Sequence, residues 1–140
     1  MKYHFKIHRD PDGLWAECIE LDGCHTQADT ENELYKYMEE ALDLYLDEPE
    51  GSERIAPLPK EKIKGKNIVK ISVDPKIAFG LYMKHLRKKH KFTQKQLADM
   101  LGMKNIYSYQ RLEKKSNPSL VLLEKVKRIY PEFKIDKILQ

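Results

Sequence analysis

The 140-residue sequence predicts an α+β chain of two unlike halves, a β-β-β-α-β unit followed by an all-α unit. Three observations carry this. Near the N-terminus Tyr3, Phe5 and Ile7 alternate with Lys2, His4, Lys6 and His8, the period-2 pattern of a strand with one buried face. From Thr30 onward, N-capping residues open segments whose apolar residues recur at helical spacing. The charge also changes sign at Pro59: residues 1–59 hold 5 Lys+Arg against 15 Asp+Glu, net −10, and residues 60–140 hold 21 against 7, net +14. So sharp a split points to two kinds of partner, one basic and one acidic.

The first strand is read over residues 2–8. Asp10-Pro11-Asp12-Gly13 supplies turn chemistry, and Leu14 to Ile19 resumes the chain as the second arm of a hairpin. A second turn at Leu21-Asp22-Gly23 leads into a short third strand over Cys24 to Ala28. Thr30 followed by Glu33 is a capping box, and Leu34, Tyr37, Met38, Ala41, Leu42 and Tyr45 then mark a helix over 31–46. Pro49, Gly51, Pro57, Pro59 and Gly65 break up residues 49–66, which read as a linker. A fourth strand over 67–73 either completes the first sheet or pairs between subunits.

Beyond it the chain is helical. Asp74-Pro75 opens a helix that closes in Arg87-Lys88-Lys89-His90-Lys91. Thr93 and Gln96 box a short helix of Leu97, Ala98 and Leu101 that ends at Gly102. Asn105 to Lys114 forms the next, Asn117-Pro118 caps another that ends before Pro131, and Phe133 to Leu139 makes a last turn. The domains are therefore residues 1–48 with strand 67–73, a linker over 49–66, and residues 74–140.

Halves this small gain from oligomerisation, so a homodimer or higher homo-oligomer is expected. No apolar stretch approaches the roughly 20 residues that span a bilayer, and the N-terminus lacks a signal-peptide pattern, so the expected localisation is cytoplasmic with no membrane partner. Cys18 and Cys24 are too few for a disulfide framework and are read as thiols.

Thr93-Gln94, Leu97-Ala98, Leu101-Gly102, Arg111-Leu112-Glu113 and Asn117-Pro118-Ser119-Leu120 resemble the helix-turn-helix of phage-repressor-like (Xre-type) regulators over residues 76–130. The positions have mechanical reasons: Leu97, Ala98 and Leu101 pack the first helix, small Ala98 admits the second, and Gly102 permits the turn. The resemblance implies that the second helix enters a DNA major groove. Gln94 then sits at a helix start where a phosphate is held, and Asn105 and Gln110 suit adenine. The DNA-contacting set is Gln94, Lys104, Asn105, Tyr107, Ser108, Gln110, Arg111 and Lys114, with Tyr109 buried. Two departures stand out, a turn one residue longer than the usual pattern and Lys114-Lys115-Ser116 in place of a glycine.

Asp10, Asp12, Glu17, Glu20 and Asp22 invite a metal-nuclease reading, but most lie in or beside turns, where Asp is common for conformational reasons. His4 and His8 lie about 13 Å apart at strand rise, too far to share a metal, and are read as exposed. No catalytic residue, metal site or cofactor is expected. Tyr3-x-Phe5-x-Ile7, Asp12-Gly13-x-Trp15, Leu21-x-Gly23-Cys24-x-Thr26-Gln27-x-Asp29-Thr30 and Glu40-Ala41-Leu42 with Tyr45-Leu46 resemble the N-terminal domain of HicB antitoxins over residues 3–48. The resemblance implies a degenerate RNase H-like domain that masks a small basic HicA-type mRNA ribonuclease toxin, followed by a domain that represses the operon at operator double-stranded DNA. From charge and turn location, Glu17, Glu20 and Asp22 are assigned to toxin binding. A ribonuclease reading is weak, because the first strand offers Phe5-Lys6-Ile7-His8 and no acid. The other alternative is a ligand-sensing transcriptional regulator without a toxin partner.

Overall fold

The computed structural model describes residues 1–140 as a mixed α+β chain of two units. One unit comprises Met1–Leu46, Ala56–Asp74 and Gln140, the other Asp47–Ile55 and Pro75–Leu139.

The first unit holds β1 (Lys2–Asp10), β2 (Gly13–Cys18), β3 (His25–Ala28), α1 (Glu31–Leu46) and β4 (Ile68–Ser72). The four strands form an antiparallel sheet in the order β3-β2-β1-β4. β4 thus completes the sheet within its own chain, with His4 opposite Lys70 and Phe5 opposite Val69. Tyr3, Phe5, Ile7, Ala16 and Ile71 supply the buried face, and α1 packs on β2, β3 and β4. Leu34, Met38 and Leu42, spaced four apart, are fully buried along one stripe of α1. Each such side chain contributes roughly 1.5–3 kcal/mol on burial. At the start of α1 one bond of the predicted capping box forms, from Glu33 N to Thr30 Oγ1 (3.3 Å).

The second unit holds α2 (Pro75–Lys89), α3 (Gln94–Met100), α4 (Ile106–Lys114), α5 (Leu120–Ile129) and α6 (Asp136–Leu139). Both bonds of the α3 capping box form, from Gln96 N to Thr93 Oγ1 (3.1 Å) and from Thr93 N to Gln96 Oε1 (2.8 Å). Leu97, Ala98, Leu101, Tyr109, Leu112 and Val126 are buried, and α4 packs on both α2 and α3. Gly102 ends α3 with φ +70°, the left-handed turn its position predicts. At α5 the cap falls on Ser119, whose Oγ accepts from Leu122 N at 3.1 Å, rather than on Asn117-Pro118. Gly80 brings α2 against the end of α4: a Cβ there would lie 2.4 Å from the Glu113 carbonyl oxygen.

Residues 49–66 do not behave as one linker. Residues 47–55, with four acids and Arg54, join the basic helical unit, whereas residues 56–74, with five lysines against Glu61 and Asp74, join the acidic sheet unit. Tyr3 Oη donates to the Pro57 carbonyl (2.6 Å), which helps fasten the latter segment. No helix is long and apolar enough to cross a membrane.

Candidate functional site

α4 begins at Asn105, whose Oδ1 accepts from Ser108 N (3.0 Å) and Ser108 Oγ (3.3 Å). Arg111 Nη2 in turn donates to Ser108 Oγ at 3.3 Å. Asn105, Ser108 and Arg111, three residues apart, therefore form a hydrogen-bonded line along one face of α4. Lys104, Asn105 and Arg111 are exposed, and Tyr107 stands beside them at 62% exposure. Five of the eight residues assigned to DNA thus gather on an open, polar and cationic helix face.

The other three are engaged inside the unit. Gln94 is buried, its Nε2 donating to Glu113 Oε1 (3.1 Å) and its Oε1 accepting from Gln110 Nε2 (3.1 Å). Behind them Arg87 grips Glu113 through Nε to Oε2 (2.6 Å) and Nη2 to Oε1 (3.1 Å). Burial opposes the Arg87 charge, but the hydrogen bonds and field of Glu113 more than offset it and push its pKa up. Gln94 differs in this from the phosphate-holding role its motif position suggests, because both ends of its amide are spent on partners within the unit. Gln110, assigned to adenine contact, instead turns toward Gln94 and is only partly exposed. Lys114 Nζ donates to Asp47 Oδ1 (3.0 Å) and to the Glu48 carbonyl (2.9 Å).

Sequence reasoning passed over the cations beside α3. Arg87, Lys88, Lys91 and Lys95, with Gln94 and Glu53, line a cleft of about 420 Å³. The Arg87–Lys91 run was the available signal, but only folding brings Lys95 against it.

In the sheet unit the three acids assigned to a protein partner separate. Glu17 lies on the outer face of β2, 46% exposed and paired with His8 Nε2 at 3.2 Å, and His8 stacks on Trp15 with ring centroids 3.9 Å apart. Asp22 is exposed in its turn. Glu20 does not fit the assignment: its side chain is 2% exposed, and its carboxylate accepts from His4 N (2.9 Å), His4 Nδ1 (2.8 Å) and Lys60 N (3.1 Å). A carboxylate committed to three internal donors is structural. His4, expected to be exposed, is 1% exposed for the same reason, since Glu20 folds back over the polar face of β1.

The exposed acids of this unit concentrate elsewhere. Asp10, Asp12, Asp29 and Glu33 line a groove of about 420 Å³ at the β1–β2 hairpin end, together with Trp15 and Tyr37. Trp15 Nε1 donates to Asp10 Oδ2 at 3.0 Å, which fixes the indole on the groove wall. In the sequence Asp10 falls in the first turn, Asp12 and Asp29 in the HicB-like motif and Glu33 in the capping box, and none of the four is among the acids assigned to a protein partner. No group of three or more His, Cys, Asp or Glu side chains converges as a metal site. Cys18 and Cys24 are buried free thiols; the Cys24 thiol and burial push the Cys18 pKa up, and the bond with Cys18 draws that of Cys24 down.

No family model matches the chain. A UPF0150 protein of Archaeoglobus fulgidus is 42% identical over 48 residues, which make up 34% of this chain and 70% of the relative.

Proposed function

The chain belongs to the UPF0150 family, and, starting from the HicB-like motifs of residues 3–48 and the helix-turn-helix motif of residues 76–130, we propose that it is a HicB-type antitoxin and autorepressor. In this reading the sheet unit is a degenerate RNase H-like domain that masks a small basic ribonuclease of the HicA type. The helical unit is an Xre-type helix-turn-helix that binds operator DNA as a homodimer or higher homo-oligomer. One observation carries the proposal: surfaces of opposite charge are built on separate units, an acidic groove with two aromatic walls on one and an open polar and cationic helix face on the other.

Each surface suits its partner. A ribonuclease that cleaves RNA must carry cations where phosphates bind, and a groove of carboxylates steers such a surface and competes for it. Trp15 and Tyr37 add faces on which an arginine can stack. On α4, Asn105, Ser108 and Arg111 offer hydrogen-bonding groups at helical spacing, the arrangement that reads base edges in a major groove, while Lys104 suits a phosphate. A dimer sets two such helices about one helical turn apart on an inverted repeat.

The test is co-expression with the small basic protein encoded by the adjacent reading frame. The antitoxin reading expects relief of growth arrest and a complex that co-purifies. Growth arrest that persists, with no complex, overturns it.

A further inference from the structure

The segment Asp47–Ile55 is not a passive connection. It runs over the helical unit and meets that unit's cations one after another. Asp47 Oδ1 and the Glu48 carbonyl hold Lys114 Nζ, the Gly51 backbone lies against the Gln110 amide, the Arg54 carbonyl accepts from Lys84 Nζ (2.9 Å), and Glu53 pairs with Arg87 Nη2 (3.4 Å) and with Lys88. Gly51 takes φ +78°, a backbone conformation that favours glycine, and a Cβ there would lie 3.1 Å from Gln110 Nε2. Lys84 is 5% exposed, and burial lowers its pKa.

The position of Glu53 is the informative part. It lies on the wall of the cleft whose other charged residues are Arg87, Lys88, Lys91 and Lys95, four cations around one carboxylate. Bonding to Lys88, with Arg87 close by, holds the Glu53 carboxyl below its ordinary range. The cleft therefore already accepts an anion, supplied by the chain itself. Two of the residues held by the strap, Gln110 and Lys114, lie on α4, the helix assigned to DNA. Residues 75–139 carry 16 Lys+Arg against 5 Asp+Glu, net +11, and the strap carries four acids and Arg54, net −3, of which the Asp47 and Glu53 carboxylates reach cations of the helices.

We propose that Asp47–Ile55 is a built-in competitor for double-stranded DNA: its carboxylates occupy the cation sites of the helical unit that backbone phosphates need, and DNA binds by displacing it. The proposal rests on the DNA-binding reading and adds a regulatory element to it. Counterion release drives binding to a phosphate backbone, so each cation that the strap already neutralises is subtracted from the gain. Whatever lifts the strap frees Lys114 and Lys88 together, while Arg87 stays paired with Glu113.

The test measures fluorescence anisotropy of a labelled random-sequence duplex titrated with the full chain, across a salt series. It compares the wild type, Asp47→Asn/Glu53→Gln, and the control Glu124→Gln, which neutralises an exposed carboxylate paired to Arg128 on α5 (2.8 Å), away from the strap. The strap variant is expected to bind roughly tenfold more tightly with a steeper salt dependence, and the control to change little. DNA is also expected to accelerate tryptic cleavage after Arg54 in the wild type as the strap comes free. Equal gains in both variants, or no gain in either while the wild type binds, overturn the competitor and leave the DNA reading intact. If no form binds the duplex at low salt, the DNA reading fails and the competitor falls with it.

Discussion

Arg87 and Glu113 form a two-point ion pair in which each side chain is only 3% exposed, linking α2 to the end of α4. Gln94 of α3 joins the same carboxylate, so one acidic group ties three helices together. The pair sets the register in which α4 is presented.

Removing either partner leaves the other charge buried and unpaired. Arg87→Ala and Glu113→Ala are each expected to cost about 3–5 kcal/mol, read from urea unfolding followed by circular dichroism. Arg87→Met combined with Glu113→Leu is expected to recover most of that loss, because two apolar groups of similar volume leave no orphaned charge. A double variant as unstable as the singles would show that the pair supplies net stability rather than register.

Gly80 gives a second measure of the same helix contact. The Cβ of Gly80→Ala meets the Glu113 and Leu112 carbonyl oxygens at 2.4 and 3.1 Å, backbone atoms that cannot step aside without moving α4. A loss of about 1–3 kcal/mol is expected, although alanine is intrinsically the better helix former. A gain in melting temperature would contradict the close approach.

Local patterns carried much of the fold. β1 was legible from strict alternation, and α1 and α3 from capping boxes, because those signals lie within a few residues of what they specify. The strap was not legible. Its acids lie around Pro49 and Gly51, and what gives them structure is Lys114, Arg87 and Lys88, tens of residues away. His4 shows the same limit from the other side. Alternation places it on the polar face of β1, yet Glu20, sixteen residues on, covers it. At α3 the motif position of Gln94 was readable, but its direction depended on Glu113.

The acids first assigned to toxin binding are expected to divide in a stability test. Glu20→Ala strands three donors, His4 N, His4 Nδ1 and Lys60 N, and should cost about 2–4 kcal/mol, with Glu20→Gln restoring part of it through the retained carbonyl oxygen. Glu17→Ala and Asp22→Ala, both on the surface, should stay within about 0.5 kcal/mol of the wild type. Toxin binding, measured by calorimetry, is expected to weaken when the groove acids Asp12 and Asp29 are changed to asparagine. If Glu20→Gln alone abolishes the complex without loss of stability, the structural role of Glu20 is wrong.

The open face of α4 yields a prediction that separates base reading from phosphate binding. Arg111 is held in line by Ser108, which is capped in turn by Asn105, so in the proposed DNA complex its guanidinium would enter the groove with part of its ordering entropy already spent. Lys104 stands before the helix, where a compact charge meets a phosphate without reading sequence. With a duplex from upstream of its own reading frame, Arg111→Ala is expected to cost about 1–3 kcal/mol of preference over random DNA. Lys104→Ala should weaken both duplexes alike and reduce the salt slope by about 1. Ser108→Ala, which touches no assigned phosphate, should reproduce part of the Arg111 loss by freeing the guanidinium. Should Arg111→Ala weaken both duplexes equally, Arg111 is a phosphate contact, and base reading passes to Asn105 and Tyr107.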